Sequence, residues 1–196
     1  TRPPPPKPRP PDTPPPTHPP TASQCGYRSI PLKSNHRGVL SPQAVDELMD
    51  EDTAGIMVTN PNTLGLFEEN IKAVADIVHD KGGLVYCDGA NMNAVMGIVN
   101  MGELGVDVLH LNLHKTFSSP PRGGGPGPRP VCVRNDLEPL LPVPRVIKKK
   151  GKYELSEDFP DSMGKVHAFY GNIGVMIRAY SYIRSMGPDG LKKASQ

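Results

Sequence analysis

No apolar run in this chain of 196 residues approaches the ~20 needed to span a bilayer, so no membrane partner is expected. The opening residues hold no hydrophobic signal core, which argues against export. An excess of one charge is also missing: 22 basic side chains face 20 acidic ones, for a formal charge of +2. Nothing here calls for nucleic acid. The run Lys148-Lys149-Lys150-Gly151-Lys152 is the one candidate for a phosphate backbone, and a solvated loop is its better reading. Cysteine is scarce. The three, at positions 25, 87 and 132, are odd in number and match neither a zinc site nor a disulfide frame. No metal is expected. Cys87 and Cys132 lie in apolar runs and are expected as small buried side chains. A reducing cytoplasm fits, or the mitochondrial matrix in a eukaryote. The hydrophobic fraction is only 36%, partly because twelve of the first twenty residues are proline. Proline lacks the N–H that helices and ladders use, so this opening reads as an extended, solvated arm.

What is present is an alternation of apolar runs and amphipathic stretches. Residues 28–32 are expected as a short strand. Ser41-Pro42 then opens a helix, with a hydroxyl at the N-cap and proline at the first helical position. Ala44, Val45, Leu48 and Met49 give it one apolar face. Residues 54–58 form a continuous apolar run, as in a parallel strand covered on both faces. Turn formers over 59–65 follow. Next comes a helix with Glu68 and Glu69 in its first turn, a stripe of Ile71, Val74, Ala75 and Val78, and an end at Lys81-Gly82-Gly83. Residues 84–87 are the next strand, ending at Asp88. A helical segment near 93–101, a strand over 106–111 and another over 131–133 complete the pattern.

This order predicts an α/β fold with a mostly parallel sheet. Right-handed crossovers then bring 59–63, 88–91 and 112–116 to one edge, the carboxyl ends of the strands, where open α/β sheets bind ligands. Residues 168–186 read as a long helix ending at Gly187-Pro188. The expected organisation is a proline-rich disordered arm over 1–25, a sheet domain over 26–144, and a connecting loop and long helix over 145–196 that lead toward a small domain.

Asp88 and Lys115 stand 27 positions apart, each after an apolar run. A carboxylate and an amine on one edge suit an enzyme that holds pyridoxal phosphate. The amine can bond the aldehyde, and the carboxylate can keep the ring nitrogen protonated. An isolated lysine in a strand-end loop is more often surface decoration; Asp88 and Asn60 at matching strand ends reverse that balance. Partial desolvation of Lys115 is expected. Asp88-Gly89 also suits a turn, but its buried approach favours a charge-assisted bond to a pyridinium N–H. Asn60 and Asn62 either build a turn or reach the cofactor's phenolic oxygen. Asn91 either orients Asp88 or meets the ring edge. His114 suits stacking, a substrate carboxylate or a core position equally. Thr116 is placed to donate to the phosphate. Gly123-Gly124-Gly125 offers backbone for an anion or for close approach, without the lysine and hydroxyl order of a nucleotide loop. The candidate set is therefore Lys115, His114 and Asp88 for catalysis, and Lys115, Asp88, Asn60, Asn62, Asn91 and Thr116 for the cofactor.

Four segments in this order resemble one family: Asn60-Pro61-Asn62-Thr63-Leu64-Gly65-Leu66-Phe67-Glu68-Glu69-Asn70, Asp88-Gly89-Ala90-Asn91-Met92-Asn93-Ala94, Leu111-Asn112-Leu113-His114-Lys115-Thr116-Phe117 and Ala168-Phe169-Tyr170-Gly171-Asn172. They look like the P-protein family, glycine dehydrogenase (decarboxylating) of the glycine cleavage system, over residues 26–196. The resemblance implies part of a fold type I, aspartate-aminotransferase-like large domain, with pyridoxal 5'-phosphate on Lys115. It implies glycine as the substrate, oxidatively decarboxylated, with the aminomethyl group passing to the lipoyl arm of the H-protein. A partner P-protein subunit or a homo-oligomer goes with it. The likeness is to the second subunit of the two-subunit form or the carboxyl half of the single-chain form.

The chain departs from the family after the lysine. Ser119-Pro120-Pro121-Arg122-Gly123-Gly124-Gly125-Pro126-Gly127 stands where the family usually reads Thr-Pro-His-Gly-Gly-Gly-Gly-Pro-Gly. Pro121 thus replaces a histidine, and Arg122 and Arg129 replace glycines. If those glycines use positive φ, arginine there costs on the order of 1 kcal/mol or more. The family's upstream phosphate cradle, ring-stacking residue and later small domain have no counterpart, so the chain reads as a fragment or a degraded copy. The rival readings are another fold type I enzyme, such as an aminotransferase, and an inactive fragment with an assembly role.

Overall fold

The chain is seen in a computed structural model that describes residues 8–9, 18–119 and 127–196. Its centre is a five-stranded sheet in the order β1 (Pro8–Arg9), β2 (Gly55–Thr59), β3 (Leu84–Gly89), β4 (Val108–Leu111) and β5 (Val131–Val133). The first four strands are parallel and β5 runs antiparallel to β4. The helices are α1 (His18–Gln24), α2 (Pro42–Leu48), α3 (Ile71–Asp80), α4 (Leu113–Thr116) and α5 (Ile173–Ser195), and a separate hairpin joins β6 (Arg145–Lys149) to β7 (Lys152–Ser156).

The core forms where strand and helix periods agree. Ile56 pairs in register with Val85, and Val58 with Cys87, so these four share one face of the sheet. Against them lie Ile71, Val74, Ala75 and Val78 of α3 together with Val45 of α2, all buried in one cluster. The Ser41 hydroxyl accepts the Ala44 N–H at the start of α2, with Pro42 in the first turn. Gly82, at φ +77°, ends α3.

Asp107 ties this layer together. Its buried carboxylate accepts the Val85 N–H at 2.6 Å, meets His79 Nε2 at 2.8 Å, and pairs with Arg134 at 2.6 Å. One side chain thereby links α3, β3, the start of β4 and the segment after β5. Removing one partner of such a buried group costs more than the pair contributes.

Several expectations are corrected. Part of the arm forms regular structure: Pro8–Arg9 pairs with Gly55–Ile56, and α1 begins before residue 26. Pro19 and Pro20 fall in the first turn of α1, where the missing N–H has no intrahelical partner to lose. The rest of the expected disordered arm, 1–7 and 10–17, lies outside the described residues. Residues 28–32 make no strand; Leu32 forms a single bridge and is buried. α3 begins at Ile71 rather than near Glu68, and the Glu68 N–H is held by Asn60 Oδ1 at 3.0 Å. Over 93–101 only a 3-10 turn forms, Met92–Ala94, and Gly97 at φ +70° departs from helical geometry.

The lysine run is a hairpin rather than a loop. Lys150 and Gly151, at φ +49° and +80°, make its turn, and two positive φ values match the twist of paired strands. α5 starts at Ile173, breaks at Gly187 (φ 61°) before Pro188, and resumes. Cys132 is exposed on the outermost strand, whereas Cys87 is buried. No helix among the described residues is long and apolar enough to cross a membrane.

The two faces of this packing differ in what a deletion removes. Ile56→Ala, at a site 1% exposed, is expected to lower unfolding free energy by about 2–5 kcal/mol. Ile98→Ala, half exposed, should change it by about 0.5 kcal/mol or less. Urea denaturation of both variants measures the contrast.

Candidate active site

The carboxyl ends of β2, β3 and β4 lie side by side, and register fixes what stands there. Thr59 pairs with Asp88, and Asp88 with His110. The three side chains form one row on the sheet face opposite Val58 and Cys87. The segments that follow hold Asn60 and Asn62 after β2, Asn91 after β3, and His114, Lys115 and Thr116 on α4 after β4. All seven residues singled out from the sequence therefore reach one edge of the sheet.

Asp88 is buried, with its side chain 6% exposed. Its Oδ1 accepts the Ala90 N–H at 2.8 Å and lies 3.0 Å from His110 Nε2. The other ring nitrogen of His110 meets the Tyr86 hydroxyl at 2.5 Å. Burial, the charge of Asp88 and then Cys87 push the Tyr86 phenol up to about 12, with Arg129 opposing. It stays a donor at neutral pH. Burial likewise pushes the Cys87 thiol up to about 12, so this cysteine is an inert packing group.

Lys115 is exposed on α4, and the desolvation expected for it is not supplied by the described residues. Its amine has no hydrogen bond or ion pair among them. His114 beside it is half-buried. Burial first, then Arg129 and Lys115, hold its imidazole below the usual histidine range. Gly127 lies against its ring: a Cβ there would stand 2.0 Å from His114 Nδ1. Arg129 is exposed and has no positive φ, so the backbone strain feared at that replaced glycine is absent. Pro121, Arg122 and Gly123-Gly124-Gly125 lie outside the described residues.

The amides divide into two kinds. Asn62 is consumed by the loop: Oδ1 accepts the Leu64 and Leu66 N–H groups at 3.0 and 3.1 Å, and Nδ2 donates to the Gly38 carbonyl at 2.9 Å. Asn91 Nδ2 donates to the Pro61 carbonyl at 3.0 Å, tying the end of β3 to that loop. Asn60 is different. Its Oδ1 is used by Glu68, but its fully buried Nδ2 has no partner among the described residues.

Asn60 Nδ2 belongs to a pattern. Six buried side-chain polar atoms lack a hydrogen bond among the described residues, and four lie in these strand-end segments: Thr59 Oγ1, Asn60 Nδ2, His114 Nδ1 and Thr116 Oγ1. Native structures leave few such atoms unpaired. With the Asp88 carboxylate and the Lys115 amine they fit a small aromatic ligand bearing an aldehyde, a hydroxyl and a phosphate. Thr59, Tyr86 and His110 escaped sequence reasoning. Strand alternation from Asp88 could have flagged Tyr86, but nothing in the sequence gives the register that adds Thr59 and His110.

Glu68 is a buried carboxylate beneath the same loop. It accepts the Leu40 N–H at 2.7 Å, yet burial outweighs that bond and raises its pKa. A cavity of about 660 Å³ lies elsewhere; its polar lining is His79, Asn100, Asp107 and Arg134, and neither Asp88 nor Lys115 borders it. Among the described residues no group of three His, Cys, Asp or Glu side chains could hold a metal.

Comparison with known proteins gives the site a context. Residues 20–126 match the family described as Aminotransferase class-V. A probable glycine dehydrogenase (decarboxylating) subunit 2 of Caldanaerobacter subterraneus subsp. tengcongensis is 54% identical over 176 residues, covering 90% of this chain. The protein of the same description from Bacillus licheniformis is 52% identical over the same length. The chain spans 36% of the length of each of these relatives. Among solved structures, Lactobacillus brevis glutamate decarboxylase superposes with a TM-score of 0.69 at 13% identity, over 96% of this chain and 43% of its own. The Burkholderia pseudomallei sphingosine-1-phosphate lyase gives 0.68 at 15% identity, over 95% and 42%. At those identities the likeness concerns the fold alone.

Two substitutions probe the local physics. Gly127→Ala is expected to displace the His114 ring, seen as a shift of its imidazole resonances in NMR spectra. Glu68 titrates from a raised folded value, so its contribution to stability is present below the ordinary 4.5 and is lost as pH rises through the folded value. Glu68→Gln should remove that downward slope from a plot of unfolding free energy against pH.

Proposed function

For a chain that belongs to the aminotransferase class-V family, we propose a part in glycine decarboxylation, with transfer of the aminomethyl group to a lipoylated carrier protein. The fold is the one expected from the sequence, an incomplete fold type I large domain, and the family's cofactor is pyridoxal 5'-phosphate. The observation that carries the reading is the row Thr59–Asp88–His110 at the strand ends, with Lys115 on the helix that follows β4. Half-identity to subunit 2 relatives supports the choice of glycine over other amino acids.

In this reading each residue has a definable task. Lys115 supplies the primary amine that holds the cofactor covalently. Asp88 faces the ring nitrogen and favours its protonated form. When bound, the cofactor supplies an electron sink for the bond broken at the substrate carbon. Asn60 Nδ2 donates to the phenolic oxygen, and the Thr116 hydroxyl to the phosphate. His114, held neutral, covers the ring or meets the substrate carboxylate. Asn62 and Asn91 serve by building the loop that presents Asn60. The partners of the reading are glycine, the lipoylated H-protein, and a companion P-protein subunit or a second copy of the chain. A cytoplasmic or matrix setting goes with it.

Chemical trapping tests the assignment. Borohydride reduction of the chain with pyridoxal phosphate, followed by peptide mapping, is expected to label Lys115, and Lys115→Ala should abolish the visible absorbance. Label on Lys33, Lys72 or Lys165 instead would overturn the site. Exchange of labelled bicarbonate into glycine, in the presence of the lipoylated carrier and the companion subunit, separates this activity from an aminotransferase.

A further inference from the structure

Asp88 does not stand alone on β3. His110 Nε2 lies 3.0 Å from its Oδ1, and His110 Nδ1 lies 2.5 Å from the Tyr86 hydroxyl. The three side chains sit on one face of two adjacent strands, in a line that leads away from the strand ends into the sheet. Both the carboxylate and the imidazole are nearly sequestered, with side chains 6% and 14% exposed.

The proton positions follow from the partners. Tyr86 O–H donates to Nδ1, which leaves the ring proton on Nε2. The opposite tautomer would aim an imidazole lone pair at a carboxylate 3.0 Å away, which repels. Asn112 Nδ2 lies 3.2 Å from the same Nε2; rotating that amide presents its oxygen to the proton instead. Asp88 Oδ1 therefore receives the Ala90 N–H and faces the N–H end of His110. A buried carboxylate oxygen that faces two N–H groups in this way is held in one orientation. Among the described residues, the charged and titratable groups that act on Tyr86 are Asp88 and Cys87 on β3 and Arg129 ahead of β5; Arg129 also acts on His114 after β4, as does Lys115.

We propose that His110 is a positioning residue of the cofactor site: braced by Tyr86, it fixes the Asp88 carboxylate in the orientation that holds the ring nitrogen. The proposal rests on the reading that Asp88 faces that nitrogen. It adds to the site a residue of β4 that acts through Asp88.

The chain loaded with pyridoxal phosphate provides the test, with affinity and the pH profile of the visible band as readouts. His110→Leu keeps the bulk and removes the N–H; it is expected to weaken cofactor binding about tenfold, the loss of one hydrogen bond to a charged group, and to shift the pH at which the band changes. His110→Gln, which restores a donor within reach of Asp88, should recover most of the affinity. Tyr86→Phe should move both readouts in the same direction by less. Parental affinity and band in His110→Leu, where Asp88→Asn alters both, would overturn the proposal while sparing the site. If Asp88→Asn also leaves both unchanged, the site reading fails and the proposal with it. Should His110→Leu not fold, Tyr86→Phe decides: parental readouts overturn the proposal, and a shift of the same sign sustains it.

Discussion

Everything at the site depends on the parallel register of three strands. Because Thr59, Asp88 and His110 pair across β2, β3 and β4, their side chains emerge on one face at one height. A slip of one residue would turn Asp88 toward the Val58 and Cys87 face, into the apolar cluster. Asp107 secures that register from the other end of β4, through the Val85 N–H, His79 and Arg134. Two buried carboxylates thus bracket the sheet. Asp107 is closed off by its partners in the scaffold, while Asp88 sits among side chains with unused hydrogen-bonding capacity.

In the proposed reading, that difference separates an acid of the scaffold from the acid of the site. Unpaired buried polar atoms cost stability, and among the described residues four of the six lie in the strand-end segments around β2 and β4. The loop after β2 shows the complementary principle. Asn62, Asn91 and Glu68 spend their hydrogen bonds on backbone groups, and this expenditure holds Asn60 rigidly enough for its amide to be useful. Rigid support around a few unsatisfied donors is what a preorganised site requires.

Much of this was legible from residue order. The strands at 84–89 and 108–111 and the helix stripe of Ile71, Val74, Ala75 and Val78 follow from periodicity. The edge to which Asn60, Asp88 and Lys115 come follows from strand alternation with helices. Other features were not. Glu68 reads as a first-turn helix acid, but α3 begins at Ile71, and the Glu68 N–H goes to a distant amide, Asn60. Lys148–Lys152 looked like a solvated loop, yet the positive φ values of Lys150 and Gly151 fold it into a hairpin. Cys132 sits in an apolar triplet but lies exposed on β5, the last strand of the sheet that the described residues form.

The sequence by itself determined which chemistry is on offer: a primary amine, a carboxylate and several amides, each placed after an apolar run, because local hydrophobic period dictates where strands end. It also carried the family, since segments such as Asp88–Ala94 and Leu111–Phe117 are specific as strings. Only the tertiary structure decided which of those groups have companions. His110 and Tyr86 join Asp88 through pairing between strands, a relation across some two dozen residues that no local pattern encodes, and it is burial between packed layers that keeps the three side chains together.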